Sequence, residues 1–455
     1  MNNHSNNISR RDFLRFAGLA AAGTALAACG SRAPAPSRNS EPVNLVYQDW
    51  RTDWFPGMAQ EMLAKFHAQH PNIRVFYTSD PEELEAEMLA DFEARTAPDV
   101  FSGCCGFFPA WAQKGYTLDL RPYVSADLDQ ATIQDWSKAQ YEAFFTPDGR
   151  QFALPKYHGG LALYYNKDAF DAAGVAYPDG SWTYADYQAA MEQLTVRQNG
   201  RTIQWGSMFD VSWDRIQIHV NGWGGHFVNP DNPTVCEMAS PPALDAMEWL
   251  RARIWDDKVI ATSLDVENNE TREAFYKGKV AMVEDGSWAL KDILVNAPFR
   301  IGVAPFPRGP VRHATLATTD GFAIYSGTKH PEAAWELLKF LTSEDYGRAM
   351  AKANFLQPAR ASIIDDWAGY IRQDFPEKAR DIDLAAFADG HVKGYSVTAE
   401  VFPNMLEVID ISRTAWDKIF TLGQKPVTEM GQVCQQVEVL QKKSGLLLTP
   451  CECRA

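Results

Sequence analysis

Apolar positions recur along this chain in two alternating rhythms. Val43 to Tyr47 is a short apolar run that reads as a strand. Phe55, Met58, Met62, Leu63 and Phe66 then return at three- and four-residue steps, which places them on one face of a helix. Pro71-Asn72 ends that helix, and Ile73-Arg74-Val75-Phe76-Tyr77 alternates as a second strand. Leu84, Met88, Leu89 and Phe92 form the inward face of a further helix, and the run Glu82, Glu83, Glu85, Glu87 is its solvated side rather than a metal site. Pro98-Asp99-Val100-Phe101 is the next strand. A strand–helix–strand–helix–strand order predicts parallel pairing in an α/β sheet.

The pattern restarts in mid-chain. Gly160 to Tyr165 reads as a strand, and Trp182-Thr183-Tyr184 opens a helix with Thr183 as N-cap and Asp186 three residues on. Tyr184, Tyr187, Met191 and Leu194 line its inner face. An amphipathic helix follows at 243–256, then strands at Val280–Val283, Ile301–Ala304 and Phe322–Tyr325. Pro331 starts a helix with Ala334, Trp335, Leu338 and Leu341 inward, and the remainder is mostly helical. Two such patterns in 455 residues predict two lobes.

The first residues follow a different rule. Ser9-Arg10-Arg11-Asp12-Phe13-Leu14-Arg15 precedes an apolar run from Phe16 to Ala28. That run is shorter than the ~20 residues a membrane-spanning helix needs, and it reads as the core of a signal peptide covering residues 1–28. The paired arginines resemble a twin-arginine export signal, with general secretory export as the alternative. Leu26-Ala27-Ala28-Cys29 resembles the lipobox of bacterial lipoproteins, which implies a lipid on Cys29 and membrane attachment at the outer face of the cytoplasmic membrane. Residues 29–42, with Pro34, Pro36 and several serines, form a tether.

Composition narrows the function. A net charge of -15 argues against nucleic-acid binding, which needs a basic footprint. Fourteen Trp, 16 Tyr and 25 Phe are enough for a core and for a site that stacks flat ligands. The chain has no G-x-S-x-G elbow, H-E-x-x-H pair, phosphate loop or G-x-G-x-x-G after a strand, so no metal, cofactor or catalytic group is expected. Beyond Cys29, the pairing of Cys104, Cys105, Cys236, Cys434, Cys451 and Cys453 stays open. A short loop joins Cys434 to Cys451 or Cys453, and Cys104-Cys105 are either a strained vicinal disulfide or two small buried thiols, the commoner use of a free cysteine.

Four segments carry a family resemblance. Ala97-Pro98-Asp99-Val100 precedes Trp111-Ala112-Gln113-Lys114-Gly115, and Leu154-Pro155-Lys156-Tyr157 precedes Leu163-Tyr164-Tyr165-Asn166-Lys167-Asp168. Ala274-Phe275-Tyr276-Lys277-Gly278-Lys279-Val280-Ala281-Met282 closes with Gly286-Ser287-Trp288, and Gly321-Phe322-Ala323-Ile324 precedes Pro331-Glu332-Ala333-Ala334-Trp335. In order and spacing these resemble family 1 extracellular solute-binding proteins, the maltose-binding-protein-like group. The resemblance implies a two-lobed, type II periplasmic-binding-protein-like α/β fold, each lobe a sheet flanked by helices, with the ligand in the cleft between lobes. It implies crossings near Ala153–His158, His313–Thr318 and Pro358–Ser362. Lobe one would then be 43–154 with 315–358, and lobe two 155–312 with 360–455. It further implies no turnover, a small-molecule solute such as a mono- or oligosaccharide, and an ABC permease as partner. A sensor partner, a non-sugar solute and an exported glycan-acting enzyme are the competing readings.

Ligands of open α/β sheets sit beyond the carboxyl ends of strands. That rule selects Trp50 and Arg51 after the first strand and Cys104 after Val100-Phe101. It also selects Tyr157 and His158 at the first crossing, and Asp320 with Gly321 after the second. In lobe two it selects Trp213, Asp214, Asn221, Trp223, Asp285 and Trp288. Trp288 matches a family position whose ring commonly stacks on sugar. Trp plus Asp suits a sugar, which offers an apolar C–H face and a rim of hydroxyls. Arg51 and Arg360 are the only cations expected near the cleft.

Overall fold

The computed structural model describes residues 42–49, 56–79 and 84–443; the signal, the tether up to residue 41 with Cys29, Trp50, Arg51, Cys451 and Cys453 lie outside them. Two five-stranded sheets organise the chain.

In the first sheet the strand Val43–Asp49 lies between Ile73–Ser79 and Val100–Gly103 and is parallel to both. This is the pairing the alternating strands and helices predict. The helix Pro56–Gln69 covers the sheet with Ala59, Met62, Leu63 and Phe66, the residues of the apolar face read from the sequence. Gly321–Ile324 returns from far along the chain as an antiparallel strand against Val100–Gly103, and Leu154–Pro155 completes the sheet beside it. The helix Pro331–Leu341 then buries Ala334, Trp335, Leu338 and Leu341 in the same core.

The second sheet runs Ile301–Ala304, Leu161–Asn166, Val280–Gly286, Arg201–Met208, Val196–Gln198. Val280–Gly286 is buried along its whole length, as a central strand covered on both faces should be. Thr183 and Asp186 form the expected capping box at the helix Tyr184–Leu194, satisfying two orphan amides reciprocally. Arg201–Met208, parallel to Val280–Gly286, is a strand that the apolar pattern does not announce. The C-terminal helices Met405–Trp416 and Met430–Lys443 pack on this second unit through Val408, Trp416, Val433 and Val437. Glu400 pins the approach to them: its carboxylate accepts from the amides of Phe227 (2.6 Å) and Val228 (2.9 Å) and from Asn221 Nδ2 (2.9 Å).

Cys434 is bonded to Cys236, 198 residues away, with Cα atoms 5.2 Å apart. The expected partners Cys451 and Cys453 are thereby corrected. The helix Met430–Lys443 lies against the strand Asn232–Cys236, so spatial neighbourhood overrides nearness in sequence. Cys104 and Cys105 are both thiols; Cys104 is buried as expected, but Cys105 is exposed.

The segments expected to cross between lobes run side by side. Tyr157 bridges Pro358, and Gly160 bridges Ala317. The amide of His158 donates to Gln357 O (2.8 Å) and that of Thr318 to Gly159 O (2.8 Å).

Candidate functional site

The parallel strands of both sheets aim their carboxyl ends at a common space, a cavity of ≈ 290 Å³. The first sheet and its connections supply Cys104 and Cys105 after Val100–Gly103, Tyr157 after Leu154–Pro155, and Thr318 with Asp320 before Gly321–Ile324. The second supplies Asp210, Asp214 and Arg215 after Arg201–Met208, Glu270 to Arg272 at a helix start, and Asp285 and Trp288 at the end of Val280–Gly286.

Trp288 is half-buried and lies over Gly286 and Gly159. A Cβ at Gly286 would meet the indole at 2.0 Å and one at Gly159 at 2.9 Å, so both positions need glycine for the ring to settle there. The Arg215 guanidinium stands 5.4 Å from the ring centroid. Its Nη1 is 3.2 Å from Asp214 and its Nη2 3.8 Å from Asp285. Asp285 also accepts from Arg272 Nε at 3.0 Å. Burial works against the Arg215 charge, but Asp214 and Asp285 outweigh it and raise its pKa. The result is a wall of alternating charge held rigid by its own pairs, with one aromatic plate. Among the described residues, Arg215 Nε and Thr318 Oγ1 are buried with no hydrogen-bond partner, an unfilled donor on each side of the cavity.

Six sequence-selected residues thus meet here: Cys104, Tyr157, Asp214, Asp285, Trp288 and Asp320. Five others are placed elsewhere. Trp213 is core: its indole donates to Glu400 O (2.9 Å) and packs on Phe227. Asn221 is fully buried, donating to Gly225 O (3.0 Å). Trp223 packs edge-on against Tyr184, ring centroids 4.7 Å apart. Gly321 lies in the sheet, where a Cβ would meet Phe144 at 2.7 Å. His158 is buried beside the ring of His391. The expectation that Arg51 and Arg360 are the only nearby cations is corrected: Arg215 and Arg272 line the cavity, whereas Arg360 stacks on Trp136 at 4.4 Å and pairs with Asp135 at 3.3 Å. Asp210, Glu270, Thr271 and Thr318 were also missed. Among the described residues no cluster of metal-ligating side chains forms, and no helix is long and apolar enough to cross a membrane.

His158 leads to a pH prediction. Burial, with His391 beside it, lowers its pKa to about 4. An unfolded histidine titrates at about 6.5, so the fold favours the neutral ring. Its contribution should be constant above that value and then fall as pH drops toward about 4, by about 3 kcal/mol in all. Urea unfolding of wild type and His158→Gln across this window checks it; parallel pH profiles would show that His158 is not the source.

Two packed α/β units joined by adjacent connecting segments, with a polar cavity between their strand ends, define a two-lobed binding protein. The chain belongs to the bacterial extracellular solute-binding protein family, whose model matches residues 49–348. A twin-arginine translocation signal matches residues 7–27, so the protein is exported. A binding protein of Brucella abortus is 24% identical over 84% of this chain and 90% of its own length. The diacetylchitobiose-binding protein of Streptomyces coelicolor is 23% identical over 79% of this chain and 84% of its own. The fold is also that of a Listeria monocytogenes ABC substrate-binding protein solved with cycloalternan, with TM-score 0.75 and 24% identity over 89% of this chain and all of the other.

Proposed function

We propose that this protein captures a carbohydrate in the cavity between its lobes and delivers it to an ABC permease, without chemical turnover. The observation that carries the reading is the pairing of one aromatic plate, Trp288, with fixed carboxylates and two unfilled donors, Arg215 Nε and Thr318 Oγ1. A sugar ring offers a C–H face to the first and hydroxyls to the others. The cavity's own arginines already face Asp214 and Asp285, so they do not constitute an anion site. The saccharides named for the Streptomyces relative and the Listeria structure support the same reading.

In this proposal lobe one is 43–154 with 315–358 and lobe two 155–312 with 360–455, closing about the three adjacent connecting segments. Cys29 carries lipid and holds the body at the membrane beside the permease.

Thermal unfolding against mono- and oligosaccharides, polyols, glycerophosphodiesters and amino acids tests it. A saccharide at about 100 times its Kd should add about 2.7 kcal/mol of stability and be recovered unchanged. A response confined to a charged solute would overturn the carbohydrate reading, and a converted saccharide would overturn the absence of turnover.

A further inference from the structure

We propose that Cys104 and Cys105 close reversibly into a vicinal disulfide, and that this disulfide is the apolar wall that lobe one presents to the sugar. The second half rests on the carbohydrate reading above; the first does not.

The cavity lining is charged or polar except at Tyr157, Trp288 and the two cysteines. Trp288 comes from the second sheet and is engaged by Arg215. The cysteines come from the first sheet, immediately beyond the strand Val100–Gly103. Beside Tyr157 of the first connecting segment, lobe one therefore offers sulfur where lobe two offers an indole. A pyranose has two faces, and a vicinal disulfide would present two adjacent polarisable sulfurs without S–H donors.

Burial separates the pair from ordinary core thiols. Cys104 is 3% exposed, whereas Cys105 is exposed and holds a left-handed backbone, φ 59°. Few L residues adopt that conformation, and a core-packing role does not call for it. An accessible thiol next to a shielded one is the arrangement in which the first meets an oxidant and the second resolves the mixed disulfide. The protein is exported and already carries Cys236–Cys434, so its compartment supports disulfides.

The reaction balances with a small-molecule disulfide such as oxidised glutathione. The Cys105 thiolate attacks it and releases one thiol; the Cys104 thiolate then attacks Cys105 Sγ in the mixed disulfide, releases the second thiol and forms the S–S bond. Two electrons pass to the oxidant, and the two cysteine protons end on the released thiols. Neighbouring Cα atoms are about 3.8 Å apart, below the usual disulfide span of about 4.4–6.8 Å, so this bond is the more reducible kind. The Cα separation of Cys236 and Cys434, 5.2 Å, lies within that span.

The full chain is equilibrated in glutathione buffers of graded ratio, alkylated, and its cysteine peptides are weighed. In oxidising buffer the peptide holding Cys104 and Cys105 should escape alkylation with the loss of two hydrogens. It should gain two alkyl groups under mild reduction that leaves Cys236–Cys434 joined. Affinities for maltotriose, diacetylchitobiose and cycloalternan are then measured in both states and in the Cys104→Ser/Cys105→Ser variant. Whichever binds should do so about ten-fold more weakly in the reduced and double-serine forms. Two alkylatable thiols in every oxidising buffer would overturn the redox pair, and equal affinity in both states would overturn its role as a wall. A disulfide that forms while these three and every other saccharide of the thermal-unfolding panel stay silent in both states would remove the carbohydrate reading and leave the redox pair established.

Discussion

Replacing Lys156 by methionine should destabilise the protein by about 3–5 kcal/mol. Lys156 and Asp49 are an ion pair whose side chains have no exposure at all. Asp49 closes the strand Val43–Asp49 and also accepts from Tyr47 OH (2.6 Å) and Ser102 Oγ (2.7 Å). Lys156 begins the first connecting segment, its amide donating to Asp320 O at 3.0 Å and its ammonium 5.3 Å from the Phe322 ring. Removing the ammonium leaves a buried carboxylate supported by two neutral hydroxyls, and desolvation of that charge is the cost. The double variant Asp49→Asn/Lys156→Met has no unpaired charge and should recover much of the loss, since exchanging a whole buried pair is often near neutral. Urea unfolding of the three proteins is the measurement. A single variant within about 1 kcal/mol of wild type, the ordinary range of a modest substitution, would show that the pair is not what ties the strand end to the connecting segment.

The first sheet was legible because its signals are local. Val43 to Tyr47 is a short apolar run, Met62, Leu63 and Phe66 repeat at helical spacing, and Pro71 marks the break. The strand Arg201–Met208 was not, because only Gly206 to Met208 are buried while Ile203 is 47% exposed, so its first half carries no apolar alternation to read. The disulfide was illegible for a different reason: which cysteines meet depends on how a helix settles on a strand 198 residues earlier.

The site divides along the same line. The strand-end rule brought Cys104, Asp285 and Trp288 to the cavity, since their place depends only on where a strand stops, and Asp320 came with the second crossing, just before a strand begins. It fared worse on the helix Trp213–Gly222. Successive helical residues turn by about 100°, so Trp213 enters the core while Asp214 and Arg215 face the cavity, and nothing local sets that rotation. Asn221 stands eight residues beyond Trp213, about 12 Å along the axis, and Trp223 caps the far end. Neither reaches the cavity from there. Arg272 was overlooked because its role comes from Asp285, a strand residue brought to it at 3.0 Å only by folding.

Trp288 is where loss of binding should be greatest. Trp288→Ala should weaken saccharide affinity by about 30-fold or more, the consequence of losing an aromatic anchor worth about 2 kcal/mol. Alanine alone would be ambiguous, because the ring also packs against buried residues of three hydrophobic clusters and supports Arg215. Truncation would loosen that packing and let the guanidinium move toward Asp214 or Asp285. Trp288→Leu separates the two effects, since leucine restores apolar bulk but supplies no flat face for a C–H surface and no ring for the cation. Titration calorimetry with the saccharide giving the largest thermal shift, beside urea unfolding of the ligand-free proteins, reads both quantities. If Trp288 is the stacking plate, the leucine variant should approach wild-type stability yet bind nearly as poorly as alanine. Wild-type affinity in the leucine variant would instead mean that the ring only fills space, and that recognition rests on Arg215, Asp285 and the opposing sulfur pair.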